Sequence, residues 1–143
     1  MSDEIRKIGI LGGTGALGSA LTKKWAIKGY EILIGSRDPV KAQTIATQAN
    51  EELNTGNIQG LGLKAAARES DIAVLTVPYS SHADTLNLVK EDLEGKILID
   101  TTVPLQKIVT KVQLPTIGSS AMEAQRILGN EVEVVSALQN IGS

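Results

Sequence analysis

One glycine run constrains this chain more than any other feature. Gly12-Gly13-Thr14-Gly15-Ala16-Leu17-Gly18 stands between two segments of different apolar period. Lys7–Leu11, before it, is a short aliphatic run; after it, Leu17, Leu21 and Trp25 recur every four residues. Gly13, Gly15 and Gly18 satisfy G-x-G-x-x-G, and the strand-then-helix context makes a weak motif informative. One glycine makes the tight turn, one lets the backbone approach a pyrophosphate, and Gly18 lets helix and strand pack closely. The following helix N-terminus then offers free N–H groups and partial positive charge to phosphates. A strand–helix turn that simply needs small residues is the plainer alternative, and the context weighs against it.

The rest of the chain repeats the same alternation. Apolar runs at Lys7–Leu11, Glu31–Ile34, Ile72–Val77, Lys96–Ile99 and Val132–Leu138 read as strands, with a weaker one at Asn57–Leu61. Helical spacing predicts helices over Ala16–Lys28, from Asp38-Pro39 to Leu53, over Lys64–Glu69, from a Ser80 or Ser81 cap to Asp92, and over Ser119–Leu128. Asp38 followed by Pro39 is an N-cap with a first-turn proline. Near-continuous aliphatic strands separated by helices indicate a parallel sheet covered on both faces. The expected fold is a doubly wound (Rossmann) α/β sheet of about six mostly parallel strands in the order 3-2-1-4-5-6. Residues 1–143 then form a single NADP-binding domain. Thr101–Gly118, with Pro104 and Pro115, reads as a long connection, either functional or an ordinary crossover. Trp25 belongs to the core by its spacing from Leu21, and Met122, Glu123 and Arg126 to a surface or packing face.

Composition excludes several classes. With no Cys, disulfides, thiolate metal sites and cysteine nucleophiles are ruled out, and a single His makes a His-based metal site a poor reading. A net charge of −2 and three aromatic residues (one Trp, two Tyr) speak against nucleic-acid binding. No apolar stretch approaches the roughly 20 residues that cross a bilayer. Met1-Ser2-Asp3-Glu4 does not begin a signal peptide, so the expectation is a cytoplasmic domain.

A second signal lies at the end of the second strand, where NAD-binding domains place an acidic residue on the ribose. Here the chain reads Ile34-Gly35-Ser36-Arg37-Asp38, with Lys41 four residues after Arg37. Ser36 can hydrogen-bond a 2′-phosphate, Arg37 can pair with it, and Lys41 is within reach. One charged hydrogen bond is worth about 1.5–3 kcal/mol, which favours NADP over NAD roughly tenfold to a hundredfold. Asp38 would repel the phosphate unless its side chain is occupied as the helix cap. The plain alternative for Arg37 is a solvated charge.

The fourth strand, ending in Val77-Pro78 and followed by Tyr79, is placed to lie along the nicotinamide half of a dinucleotide. His82 reads equally as a proton donor or hydrogen-bond partner near the redox centre, or as a surface histidine. Tyr79 reads equally as a ring-packing residue or as cover for the sheet edge.

In order along the chain, Gly12-Gly13-Thr14-Gly15, Trp25-Ala26, Ile34-Gly35-Ser36-Arg37, Thr76-Val77-Pro78-Tyr79 with His82, Ile99-Asp100-Thr101-Thr102-Val103-Pro104, Gly118-Ser119-Ser120-Ala121-x-Glu123-Ala124-Gln125 and Val134-Val135-Ser136-Ala137-Leu138 form a set. The set resembles the NADPH-dependent reductases of the deazaflavin coenzyme F420. The resemblance implies hydride transfer between NADP(H) and the deazaflavin. It implies that Thr14, Gly15, Ala16 and Leu17 hold the pyrophosphate, that Ser36, Arg37 and Lys41 hold the 2′-phosphate, and that Val77, Pro78, Tyr79 and Ala137 border the nicotinamide. It names no catalytic residue, because the cofactors bring the chemistry and the protein positions them. Such reductases usually continue into a smaller C-terminal part that supports dimerisation and shapes the deazaflavin pocket, and that part is absent here. The short chain then either binds NADP alone or builds its acceptor site with a partner, with a homodimer as one expectation. The competing functions are an NADP(H)-sensing domain without turnover, and an NADPH-dependent reductase of another acceptor such as a flavin, quinone or imine.

Overall fold

Side chains of successive strand residues point to opposite faces. Both sets are aliphatic here, so both faces of the sheet demand helices. The computed structural model describes residues 6–12, 15–101 and 116–136, and for Tyr79, residues 116–121 and Ser136 the backbone alone. The elements are β1 (Lys7–Leu11), α1 (Ala16–Ile27), β2 (Glu31–Ser36), α2 (Pro39–Leu53), β3 (Ile58–Gly62), α3 (Leu63–Glu69), β4 (Ile72–Leu75), α4 (His82–Val89), β5 (Ile97–Asp100), α5 (Thr116–Leu128) and β6 (Glu133–Ser136). The strands form one sheet in the order β3-β2-β1-β4-β5-β6, with every neighbouring pair parallel. This is the doubly wound order expected from the sequence.

Two cores sandwich the sheet. Ile8, Ile10, Ile32, Ile34, Ile58 and Val74 face α1 and α2, which bury Leu21, Ala26, Ala42, Ala46 and Ala49 against them. Leu17 and Trp25 pack on the same cluster, as their spacing predicts. On the other face Leu11, Leu33, Ala73, Leu75 and Leu98 meet α3, α4 and α5 through Ala66, Ala67, Leu86, Val89, Ala124 and Leu128. The alanines let α2 sit close to the sheet. A Cβ on Gly60 of β3 would come within 2.2 Å of the Ala42 carbonyl carbon, so this pair of small residues sets the helix-to-strand distance. Asn50 completes the junction: its amide donates to the Ile58 carbonyl at 2.9 Å and accepts from the Ile58 N–H at 3.2 Å.

The elements depart from expectation mainly at their ends. β4 stops at Leu75, not Val77, because Thr76 turns both its N–H and its hydroxyl to the Leu11 carbonyl and closes the ladder. α4 ends at Val89, not Asp92; a short 3-10 turn over Glu91–Leu93 takes its place. α5 begins at Thr116, three residues before the expected Ser119, and β2 runs on to Ser36. Ser81 is the N-cap of α4 but makes no side-chain cap bond. Most of the Thr101–Gly118 connection and the expected strand residues Ala137 and Leu138 lie outside the described residues. Among the described residues, no helix is long and apolar enough to cross a membrane, and no His, Cys, Asp and Glu group is arranged to hold a metal.

Charges tie the edges of the sandwich. Asp71 accepts from the backbone N–H groups of Arg6 and Lys7, both at 2.9 Å, and pins the entry to β1. The Lys7 and Arg6 amide bonds hold the Asp71 carboxyl below its ordinary pKa. Burial pushes the Asp92 carboxyl up, but bonds from Lys64 at 2.9 Å and Arg68 at 3.2 Å outweigh it and leave it lowered. Lys96 donates to the Ala67 carbonyl at 2.8 Å and to that of Arg68, closing the end of α3; its burial lowers its pKa. A carboxyl with a lowered folded-state pKa adds stability that is complete above its unfolded value, near 4, and is lost as pH falls through the folded value. The urea midpoint of the native chain therefore declines on acidification below about pH 5. Asp71→Asn has a lower midpoint at neutral pH and a shallower decline, read by a urea titration repeated across pH.

Candidate functional site

The strand order reverses between β1 and β4, the successor of β1 lying on one side and β4 on the other. In a sheet of this kind, ligands bind in the crevice at the carboxyl ends of the strands beside that reversal. The chain leaves β1 through Gly12, at φ +88°, whose N–H donates to the Gly35 carbonyl of β2 at 2.8 Å. That conformation favours glycine. Space requires it as well: a Cβ there would lie 2.5 Å from Val77 Cγ1, just beyond β4. Gly12 and Val77 thus press the two halves of the sheet together at the crevice.

Gly13 and Thr14 lie outside the described residues. Gly15 is the extended N-cap of α1 and brings no side chain to the helix end, and the first turn has no acidic residue. The amides of Ala16 and Leu17 therefore open the helix with its positive end exposed. A Cβ on Gly15 would meet nothing within 4 Å. Among the described residues, packing does not require glycine at this position.

At the end of β2, Ser36 Oγ accepts from the Asp38 N–H at 3.0 Å. Asp38 caps α2 as expected, its Oδ1 accepting from the Lys41 N–H at 3.2 Å with Pro39 in the first turn. The carboxylate is turned into its own helix, leaving Arg37 and Lys41 as exposed cations on this corner. Beside it runs an open groove of about 340 Å³ between Ser36, Arg37 and Pro39 on one side and Gly62, Leu63, Lys64, Ala65 and Leu88 on the other. The α3 and α4 residues of this groove carry no motif; only the fold brings them to Arg37.

On the far side of the reversal, Thr76 binds Leu11, and Thr101 binds Leu75 through its N–H and through its hydroxyl at 2.6 Å. Val77 is half-buried and Pro78 exposed. The Tyr79 side chain and all of Ala137 lie outside the described residues. His82 opens α4, and its side chain is 1% exposed. The surface-histidine alternative is therefore wrong: the ring lies inward, with Nε2 2.8 Å from Asp100 Oδ2 and Nδ1 4.0 Å from Glu123 Oε1. Asp100 is itself fully buried. Sequence reasoning left both carboxylates out of the site. An ionisable residue closing the aliphatic run Ile97–Ile99 was the available signal, since a charge there is buried only with a partner.

A parallel doubly wound sheet with a glycine corner at its reversal point defines a Rossmann-type domain. Residues 7–104 match the family model described as NADP oxidoreductase, coenzyme F420-dependent. The chain belongs to that family. It is 41% identical over 143 residues to an F420-dependent NADP reductase of Methanocaldococcus jannaschii, covering 94% of this chain and 63% of the relative. It is 38% identical over 144 residues to the reductase of that name from Methanothermobacter marburgensis, covering 96% of this chain and 64% of the relative. A crystal structure from Arthrobacter sp. FB24 that carries the same assignment superposes with a TM-score of 0.78 at 25% identity, over 97% of this chain and 64% of that one. The chain thus spans a little under two thirds of the length of these relatives.

Gly12 and Gly15 separate by what they serve. Gly12→Ala forces a left-handed alanine into Val77 and lowers stability by about 1–3 kcal/mol. A urea titration measures it, and an unchanged midpoint would show that Val77 gives way freely.

Proposed function

We propose that this domain binds NADP(H) across the reversal point and passes a hydride between it and the deazaflavin coenzyme F420. The observation that carries the nucleotide half is the corner after β2. Arg37 and Lys41 face outward while Asp38, the one acidic residue there, is engaged by the Lys41 N–H. In this reading Ser36, Arg37 and Lys41 take the 2′-phosphate. Gly13, Thr14, Gly15, Ala16 and Leu17 take the pyrophosphate on the uncapped end of α1. Val77, Pro78, Tyr79 and Ala137 border the nicotinamide.

The choice of acceptor rests on family membership. The nicotinamide and the deazaflavin supply the redox chemistry; the protein's part is to hold the two reacting carbons about 3–3.5 Å apart and exclude water. No side chain has to act as nucleophile, in keeping with a crevice built from backbone, proline and aliphatic groups.

The direct test mixes purified protein, NADPH and oxidised coenzyme F420 and follows the deazaflavin absorbance. Enzyme-dependent bleaching is expected. NADPH binding without bleaching, for F420 and for a flavin or quinone alike, would move the reading to a nucleotide-sensing domain. Arg37→Ala should weaken NADPH by about tenfold to a hundredfold and leave NADH nearly unchanged; equal losses would remove Arg37 from the 2′-phosphate. Gly15→Val should keep its fold, since that position is open, yet lose both dinucleotides to the side chain now lying where phosphate would pass. Calorimetric titration reads both variants.

A further inference from the structure

The buried pair of His82 and Asp100 stands in a mainly aliphatic core, with the buried hydroxyl residues Thr85 and Thr101 close to them in the chain. The aliphatic cluster on this face of the sheet includes Leu75, Leu86, Val89 and Leu98. Taking two ionisable groups out of water is costly, and a well-packed apolar pair at such a place is commonly as stable or more so. Cohesion alone is therefore a weak reason for the pair. Its position suggests another.

The corner from Val77 to Ser81 joins β4 to α4 and forms one wall of the crevice. Its upstream end is fixed by Thr76, whose N–H and hydroxyl reach the Leu11 carbonyl at 2.9 and 3.1 Å. Within it, the Ser81 N–H donates to the Pro78 carbonyl at 2.9 Å. Its downstream end is His82. Asp100, which receives the ring, sits at the last position of β5, in register with Leu75 and Ser136. Thr101 locks that strand end to β4 through the Leu75 carbonyl. The bond of His82 with Asp100 thus joins the end of β5 to the start of α4, where the corner ends. With Asp100 as carboxylate, Nε2–H donates to Oδ2, a directional charge-assisted bond. Glu123 of α5, about one third exposed, stands on the other side of the ring.

We propose that His82 and Asp100 are positioning residues that set the Val77–Ser81 corner against the end of β5, and so set the wall met by the nicotinamide half of the dinucleotide. The inference rests on the NADP(H) reading above. An apolar pair fills the same volume but does not fix the direction in which the corner leaves β4. The adenosine half, held at the far side of the sheet by the corner after β2, does not depend on this bond.

Two probes separate the halves: NADPH, and adenosine 2′,5′-bisphosphate, which carries the 2′-phosphate and no nicotinamide. Affinities for both are measured by calorimetry on the native chain and on His82→Leu, His82→Gln and the double variant His82→Leu with Asp100→Leu. His82→Leu should lose about tenfold or more in NADPH affinity, the size of one charged hydrogen bond, and keep its bisphosphate affinity within about twofold. His82→Gln, whose side-chain amide can donate to Asp100, should recover most of the loss. Should His82→Leu strand the Asp100 charge and unfold, the double variant, apolar throughout, carries the same expectation. A general loss of folded protein lowers both affinities together, so the ratio is the diagnostic quantity. A native-like ratio in the folded Leu variants would overturn the proposal. Failure of the native chain to bind either probe would instead overturn the NADP(H) reading. His82 is the one histidine of the chain, so its imidazole resonances give an independent readout in the native protein. NADPH should shift them and the bisphosphate should not; equal shifts from both, or none from NADPH, would count against the proposal.

Discussion

The contact on which the rest depends is that of Gly12 with Val77, at the junction of β1 and β4. Here the sheet changes direction of growth, and two chain exits leave adjacent strand ends at one point. Both cannot carry bulk. Val77 keeps its side chain and Gly12 gives its up, at a φ of +88°. The Gly35 carbonyl takes the Gly12 N–H and the Leu11 carbonyl takes Thr76, so the crowded corner is also saturated with backbone bonds. The successors of these strands, α1 and α4, depart onto opposite faces of the sheet.

The aliphatic layers hold that corner steady. Two clusters of Ile, Leu, Val and Ala cover the two faces, and small residues set the spacing where the first turn of α2 meets β3 at Gly60. Burying a side chain such as Leu11 or Ile10 contributes about 1.5–3 kcal/mol, and close packing makes each position sensitive to added volume. Ion pairs add less and act at the margins, where Asp71 ties down β1 and Asp92 ties down α3. The rigidity the crevice needs comes from the layers, so the crevice itself can be lined by glycine and proline.

How much of this was legible in the sequence depends on the range of each interaction. The alternation of strands and helices, the glycine turn at Gly12 and the Asp38 cap follow from residues within a few positions of one another, where period and capping chemistry operate. Strand ends were less legible: Val77 continues an apolar run, but Thr76 ends the ladder through a bond to Leu11, 65 residues away. The same holds for the groove, since nothing near Arg37 in the chain announces Lys64 or Leu88. His82 is the clearest case. A histidine two residues after Ser80 reads equally as a surface residue or as a partner in a site until the fold brings Asp100 to its Nε2 and Glu123 to the other side of the ring.

The two halves of the site are consequently built in different ways. The corner after β2 is assembled from one local stretch, Ser36 to Lys41, in which a strand end, a turn and a helix cap define the geometry almost by themselves. The corner beside the strand reversal is assembled from β1, β4, β5 and the start of α4, through Gly12, Thr76, His82, Asp100 and Thr101. A single substitution in the first acts within one turn and leaves the frame intact. A substitution in the second shifts the relation between strand ends. Local change therefore suffices to alter the first corner, whereas the second depends on how β1, β4 and β5 end against one another. The buried contact of His82 with Asp100 ties the start of α4 to the end of β5, so that a directional polar bond and aliphatic packing act on the same corner.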